Sequence, residues 1–495
     1  MKRMLSSVNL TGDVNLGAPT SRRQGGRTIS NSPAGRQRSR RIRSADRRVR
    51  EFRELGSRGL SGPRSGRRIR LMSVATVVVL LIVCGAVQAQ TSKIFNVREL
   101  GAKGDGVTLD TAAIQKALDE SGKAGGTVVL PKGTYLSQPL TIRTKTTLLI
   151  EEGAMLLAST NQNDFMKTPG DWTKAKGNGD FVPFISGKDL ENVTIAGKGT
   201  IEGSGAVWWE AAEEARRKVS GYTLPRPNLI VLTRVKNLVV RDVTIQNAPK
   251  FHLVPTECDD VLITNVTILA PESAANTDAI DPSVSRRVTI TKCLIDVGDD
   301  NVAVKSGKRM DGREFACEDL TITDCTFKHG HGMSIGSETV GGVKNVLVKN
   351  CTFENTDNGI RIKSDRKRGG TVENLVCEDI TMKDVRGAIT ITSYYPKIPA
   401  TDTAQPVTAT TPKYRNITIR NLTATSSKGA GVIVGLPESQ IENVLLENVT
   451  ITAEEKGLEI RNAKGVQLRN VKISPKKGEP VIVKDAEVAG LEAAK

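Results

Sequence analysis

From about Leu190 to the C-terminus one phrase keeps returning: apolar and polar residues alternate, a polar residue interrupts, and a second short alternation follows. It reads Val239-Val240-Arg241-Asp242-Val243-Thr244-Ile245 and then Leu262-Ile263-Thr264-Asn265-Val266-Thr267-Ile268. The interrupting residue recurs as Asp242, Asn265, Lys292, Asp324, Asn350, Asp379, Asn421, Asn448 and Asn470, at steps of 23, 27, 32, 26, 29, 42, 27 and 22 residues. A period of two with abundant Val, Ile and Thr predicts strands. Self-similarity at this length predicts stacked units. Helical solenoids need long runs of period 3.6, which are almost absent after residue 130, and propeller blades are longer, at ~40–50 residues. The fold expected is therefore all-β: a right-handed parallel β-helix of about ten coils in one domain, residues 90–495.

The ends of such a stack need covers. Asp110-Thr111-Ala112-Ala113-Ile114-Gln115-Lys116-Ala117-Leu118 predicts a short N-terminal capping helix, with Asp110 as N-cap and Ile114, Ala117 and Leu118 on one face. The polar, Lys-rich coils past Asn470 are expected to close the other end. Trp208-Trp209 and the charged run Glu210 to Lys218 read as a surface excursion. Asn-x-Thr at Asn192, Asn265, Asn350, Asn416, Asn421 and Asn448 falls mostly on the repeat position, which predicts an internal polar ladder more readily than glycosylation sites. Cys293, Cys325 and Cys351 share one repeat position and read as stacked core thiols.

Charge changes the picture only at the N-terminus. Residues 1–70 hold 19 Lys+Arg against four acids, a net charge of +15 out of +17 for the whole chain, so residues 71–495 carry only +2. That basic, Ser- and Gly-rich extension cannot bury enough surface to fold. It reads as a disordered arm or as sequence upstream of the true start, with a tether to an anionic surface as the alternative. No nucleic-acid partner is expected for the folded body. Residues 71–89 join a basic flank, a short apolar run and a small-residue end at Val87-Gln88-Ala89, which predicts an export signal; a signal anchor is the alternative, although a span needs ~20 residues. The expected location is secreted or periplasmic. Six Cys lie in 90–495 with no CxxC pair, so no zinc site is suggested, while export would permit disulfides.

Four short motifs fall on four consecutive coils: Asn276-Thr277-Asp278, Gly298-Asp299-Asp300, Gly330-His331-Gly332 and Arg361-Ile362-Lys363. Asp278 lies 13 residues after its marker Asn265, Asp299 and Asp300 7 and 8 after Lys292, His331 7 after Asp324, and Arg361 and Lys363 11 and 13 after Asn350. Parallel strands lie ~4.8 Å apart, so four coils span about 15 Å and these residues share one face. Asn276/Asp278, His329/His331 and Arg361/Lys363 are separated by two, which in a strand gives one side. Gly298 is expected to permit a bend that turns both Asp299 and Asp300 toward solvent. Clustered carboxylates push at least one pKa up, giving an acid and a base as glycoside hydrolysis requires. Arg361 and Lys363 suit an anionic group such as a sugar acid.

These motifs resemble the signature of the polygalacturonase family, glycoside hydrolase family 28. Gly104-Asp105-Gly106, Gly125-Gly126-Thr127, Gly199-Thr200-Ile201-Glu202-Gly203 and Ser334-Ile335-Gly336-Ser337 extend the likeness over residues 93–475. The resemblance implies hydrolysis of α-1,4-linked galacturonan in pectin, with inversion and without metal or other cofactor. It makes Asp299 the general acid, Asp278 and Asp300 the activators of water, and His331 the group that keeps Asp299 protonated. Asn276, Arg361 and Lys363 would bind substrate, with Tyr394 as a further wall of the subsite. Ala279 stands where the family usually has Gly, and Asn301 where a Cys commonly follows. A monomer acting on a polysaccharide is expected. The rivals are a hydrolase of a related polymer such as rhamnogalacturonan, a calcium-dependent lyase-like β-helix, and a non-catalytic carbohydrate-binding β-helix.

Overall fold

A computed structural model of the chain describes residues 93–218, 224–307 and 316–494. The basic extension of 1–70 and the export signal or anchor at 71–89 lie outside the described residues. Among the described residues no helix is long and apolar enough to cross a membrane.

The period-two phrase becomes a right-handed parallel β-helix because each coil can bury its inward residues only against the coils above and below it. One inward position runs in register through Phe95, Val128, Leu148, Ile195, Val240, Ile263, Ile290, Ile322, Val348, Cys377, Ile419, Leu446 and Leu468. All thirteen are buried. Each residue in such a column is covered on both sides, so each substitution there is felt by two neighbours.

The polar residue that interrupts each phrase has a conformational reason. Asp242, Asn265, Lys292, Asp324, Asn350, Asp379, Asn421, Asn448 and Asn470 all adopt positive φ, between 50° and 65°. The chain turns a corner there, and Asn and Asp tolerate the left-handed region better than other side chains. The predicted asparagine ladder exists, but it is on the outside. Asn421 donates to Asp379 at 2.9 Å, Asn448 to Asn421 at 3.1 Å and Asn470 to Asn448 at 2.8 Å, all at exposed positions. The left-handed corner directs these side chains along the surface while their apolar neighbours turn in. The cysteine column is internal as expected: Cys293, Cys325 and Cys351 are buried free thiols, as are Cys258, Cys317 and Cys377.

The capping helix spans Thr111–Ala124 and buries Ile114, Ala117 and Leu118. Asp110 stands before it but makes no side-chain cap; its carboxylate instead accepts the N–H groups of Lys103 at 2.6 Å and Gly104 at 2.9 Å, folding the turn that leads into the helix. The Trp208 region is no loose excursion. Ala206–Lys218 is a helix whose Trp208 is buried, with edge contacts to Phe165, Trp172 and Phe181 at centroid distances of 6.1, 5.0 and 5.8 Å. This knot pins the long insertion between coils and carries Arg216 to the rim of the cavity described next. At the C-terminal end the stack finishes on the strand Val481–Ala489 and the short turn Leu491–Ala494.

Candidate active site

A second inward column positions the chemistry. Leu253, Ile280, Val302, Met333, Ile360 and Ile389 are paired in register on successive coils. Asp278, Asp300 and His331 each stand two residues before a member of this column, so they form a stack of their own. They surround a cavity of about 300 Å³ whose walls include Phe251, Asn276, Asp299, Lys305, Lys363 and Tyr395.

The turn that presents His331 explains its two glycines. Gly330 and Gly332 have φ of 71° and 75°, and a Cβ would stand 2.3 Å from the Asp299 carbonyl oxygen in one and 2.0 Å from that of Asn358 in the other. The loop is thus pressed against both neighbouring coils, and the His331 N–H donates to the Asp299 carbonyl at 2.9 Å. Gly298 is small for a related reason, since its Cβ would meet the Ala274 carbonyl oxygen at 2.4 Å. Thr277 secures that approach by accepting the Gly298 N–H at 3.0 Å. Asp299 and Asp300 do both turn to one place, but it is the cavity and not bulk solvent: Asp300 is only 2% exposed.

The carboxylates differ in their partners. Asp299 Oδ1 lies 2.9 Å from His331 Nδ1, and its Oδ2 accepts the Asn276 N–H at 3.2 Å. Burial pushes the Asp299 carboxyl up, but the bond and charge of His331, with Lys363 and the Asp300 N–H, outweigh it and hold the carboxyl below its usual range. Burial pulls the His331 imidazole down, and Asp299 more than reverses this, so it is raised above the usual histidine value. Both shifts favour a proton on the imidazole over one on the carboxyl. Asp357 Oδ2 lies 3.4 Å from the other ring nitrogen. Asp300 accepts from Lys363 Nζ at 2.7 Å, from Ser334 Oγ at 2.8 Å and from Arg361 at 3.3 Å. Asp278 is almost fully buried, and burial pushes its carboxyl well above the usual range against the charge of Lys305.

Asp299, Asp300 and His331 offer ligand-type atoms within 4.8 Å of one another. Lys363 and Arg361 already bind Asp300, and a divalent ion there would face both cations. The donor set suits proton transfer better than metal binding.

Asn276, Asp278, Asp299, Asp300, His331, Arg361 and Lys363 thus come together. Tyr394 does not. It is buried against Val434 and Leu436, and its hydroxyl donates to Asp402 at 2.7 Å. The regular strand ends at Thr392, and the bend after it brings Tyr395 to the cavity instead, its ring centroid 5.4 Å from Lys363 Nζ. His329 also falls away, because it precedes the turn: its Nδ1 lies 2.8 Å from Asp296. His252 is fully buried, with Nδ1 3.1 Å from the Asp278 carbonyl and Nε2 accepting the Ala248 N–H at 3.3 Å, and burial lowers its pKa to about 4, so it is a neutral structural group.

Asn301, the departure after the two aspartates, has a visible use. It is buried, accepts the Gly332 N–H at 2.8 Å and donates to the carbonyls of Ile295 and Lys328. It ties the aspartate bend to the histidine turn. Asn301→Ala orphans these groups and is expected to cost about 1–3 kcal/mol, read as a lower midpoint in denaturant unfolding at unchanged m-value.

The sequence matches the family model described as Glycosyl hydrolases family 28 over residues 126–474. It is 35% identical over 356 residues to an endo-polygalacturonase of Pectobacterium carotovorum subsp. carotovorum, covering 70% of this chain and 84% of that one. A solved polygalacturonase from Erwinia carotovora ssp. carotovora superposes with a TM-score of 0.61 at 31% identity, over 80% of this chain and 97% of the other. A hyperthermoactive exopolygalacturonase from Thermotoga maritima gives 0.61 at 25% identity, over 76% and 92%.

Proposed function

Because the chain belongs to family 28 of the glycosyl hydrolases, we propose that it hydrolyses α-1,4-galacturonosyl linkages of polygalacturonan by an inverting acid/base mechanism. The observation that carries this reading is the unequal pairing of three neighbouring carboxylates: Asp299 on His331, Asp300 on Lys363 and Asp278 on Lys305. An inverting displacement needs one carboxyl that delivers a proton and one carboxylate that takes one from water, and this pairing supplies both.

In this mechanism the proton held by the pair moves from His331 Nδ1 to Asp299 as the glycosidic oxygen arrives. Asp299 then gives it to the leaving oxygen while the bond to the anomeric carbon breaks. Asp278 and Asp300 take a proton from a water on the opposite face, and that water's oxygen forms the new bond. Arg361 and Lys363 hold a galacturonate carboxylate beside the cleaved bond; Lys363 has three donors and spends one on Asp300. Tyr395, flanked by both cations, forms the wall of this subsite. Asn276 acts through Asp299 by fixing its second oxygen.

The reading includes a monomer, export directed by residues 71–89, and no nucleic-acid partner for a body of net charge +2 in residues 71–495. Its test is a digest of polygalacturonate with and without chelator, following reducing ends and unsaturated uronates together. New reducing ends without unsaturation, unaffected by chelator, are expected. Unsaturated products that vanish with chelator would assign a calcium-dependent lyase instead.

A further inference from the structure

Lys305 takes no part in the proton transfers above, yet it lines the cavity. It lies 3.2 Å from Asp278 Oδ2 and 2.5 Å from Asp281 Oδ2, and the Phe251 ring closes over it with its centroid at 4.1 Å. Asp281 is 1% exposed and shares this ammonium with Asp278. One oxygen of each aspartate, Oδ1 of Asp278 and of Asp281, is buried without a hydrogen-bond partner in the protein. A single cation therefore serves two buried acids.

The coil register gives this arrangement a parallel. Val304 pairs with Ile335 and Gly336 with Lys363, so Lys305, Gly336 and Lys363 occupy one column on successive coils. The flanking phrases match as well, Val302-Ala303-Val304-Lys305 against Ile360-Arg361-Ile362-Lys363. Gly336 has no side chain, and a Cβ there would stand 2.0 Å from the Lys363 carbonyl oxygen. Lys363 reaches Asp300 and Lys305 reaches Asp278, so each water-activating carboxylate has a lysine from the same column.

We propose that Lys305 is a positioning residue for the hydrolytic base: its ammonium, divided between Asp278 and Asp281, favours the charged form of Asp278 against burial and fixes the carboxylate in the cavity wall. This rests on Asp278 acting as a base in the function proposed above. The groups facing Asp278 are Lys250 and His252 from the coil before, Asp281 on its own segment, and Asp299, Asp300 and Lys305 from the coil after. His252 is neutral, and its side-chain contact with Asp278 is to the backbone carbonyl. Burial raises both Asp278 and Asp281, the latter to about 6, and Lys305 is the largest influence against it on each. Asp281 competes for that cation, which makes the two partners opposite in sign.

The test is the pH dependence of kcat/KM on polygalacturonate for the full chain and for Asp278→Asn, Lys305→Met, Lys305→Arg and Asp281→Asn. Asp278→Asn should be inactive across the range. Lys305→Met should move the acid limb up by about 1–3 pH units with the loss in kcat more than in KM, and Lys305→Arg should return it toward wild type. Asp281→Asn should move the limb down, because it removes a negative neighbour and leaves the ammonium to Asp278 alone. An acid limb that stays in place, or moves the same way in Lys305→Met and Asp281→Asn, with Asp278→Asn inactive, reduces Lys305 to a structural pair and overturns the proposal. If Lys305→Met does not fold, the direction of the Asp281→Asn shift decides. An active Asp278→Asn would overturn the functional reading itself, and this proposal with it.

Discussion

Asp299→Asn is expected to lower kcat on polygalacturonate by about 10²- to 10⁴-fold, the range general acid catalysis contributes. An amide keeps the size of the side chain, and its single oxygen can still accept from either His331 or the Asn276 N–H, which lie 2.9 and 3.2 Å from the carboxylate. It has no acidic proton to deliver to the departing oxygen. Substrate affinity should therefore change far less than turnover, and the variant should bind oligogalacturonate while failing to cut it. Loss of binding in step with turnover would show that Asp299 serves substrate contact and not proton delivery.

Lys363→Met is expected to have the second largest effect, for two separable reasons. Asp300 is buried and takes its shortest ionic contact, 2.7 Å, from Lys363. Removing one partner of a buried pair costs about 3–5 kcal/mol, which a lowered thermal midpoint would report. Arg361, 3.3 Å from the same carboxylate, limits that loss. The functional reason is the substrate carboxylate. A charge-assisted hydrogen bond contributes about 1.5–3 kcal/mol, or about 10- to 150-fold in kcat/KM. Wild-type protein should prefer free galacturonan over its methyl ester, and Lys363→Met should lose much of that preference. An unchanged preference would remove Lys363 from the subsite, whatever its effect on stability.

Much of this was legible in the sequence because a solenoid converts offset into position. Each motif follows the corner residue of its own coil, at offsets of 13, 8 and 7 residues for Asp278, Asp300 and His331, and the register shows that each stands two residues before a column of core residues. Where the backbone leaves the strand, that arithmetic stops working. His329 and His331 are two apart, but a left-handed glycine lies between them and only His331 reaches the cavity. Tyr394 and Tyr395 follow the end of a strand, and the bend there chooses between them in a way alternation cannot foresee. Asp281 and Lys305 were hidden for another reason. Each looks like an ordinary charged residue beside a motif, and only the repeat of the phrase around Lys363 marks Lys305 as its counterpart. The asparagine ladder follows the repeat, but its outward direction depends on the left-handed corner, and the aromatic knot around Trp208 depends on an insertion that does not obey the repeat.

The central claim is displacement by water from the face opposite the leaving group, and the anomeric configuration of the first product tests it directly. Proton NMR spectra taken through the first minutes of a polygalacturonate digest, before mutarotation equilibrates the new ends, should show β-configured reducing ends appearing first and the α signal growing later. Reducing ends that appear first in the α configuration would mean retention, and would contradict the assignment of Asp278 and Asp300 as activators of water.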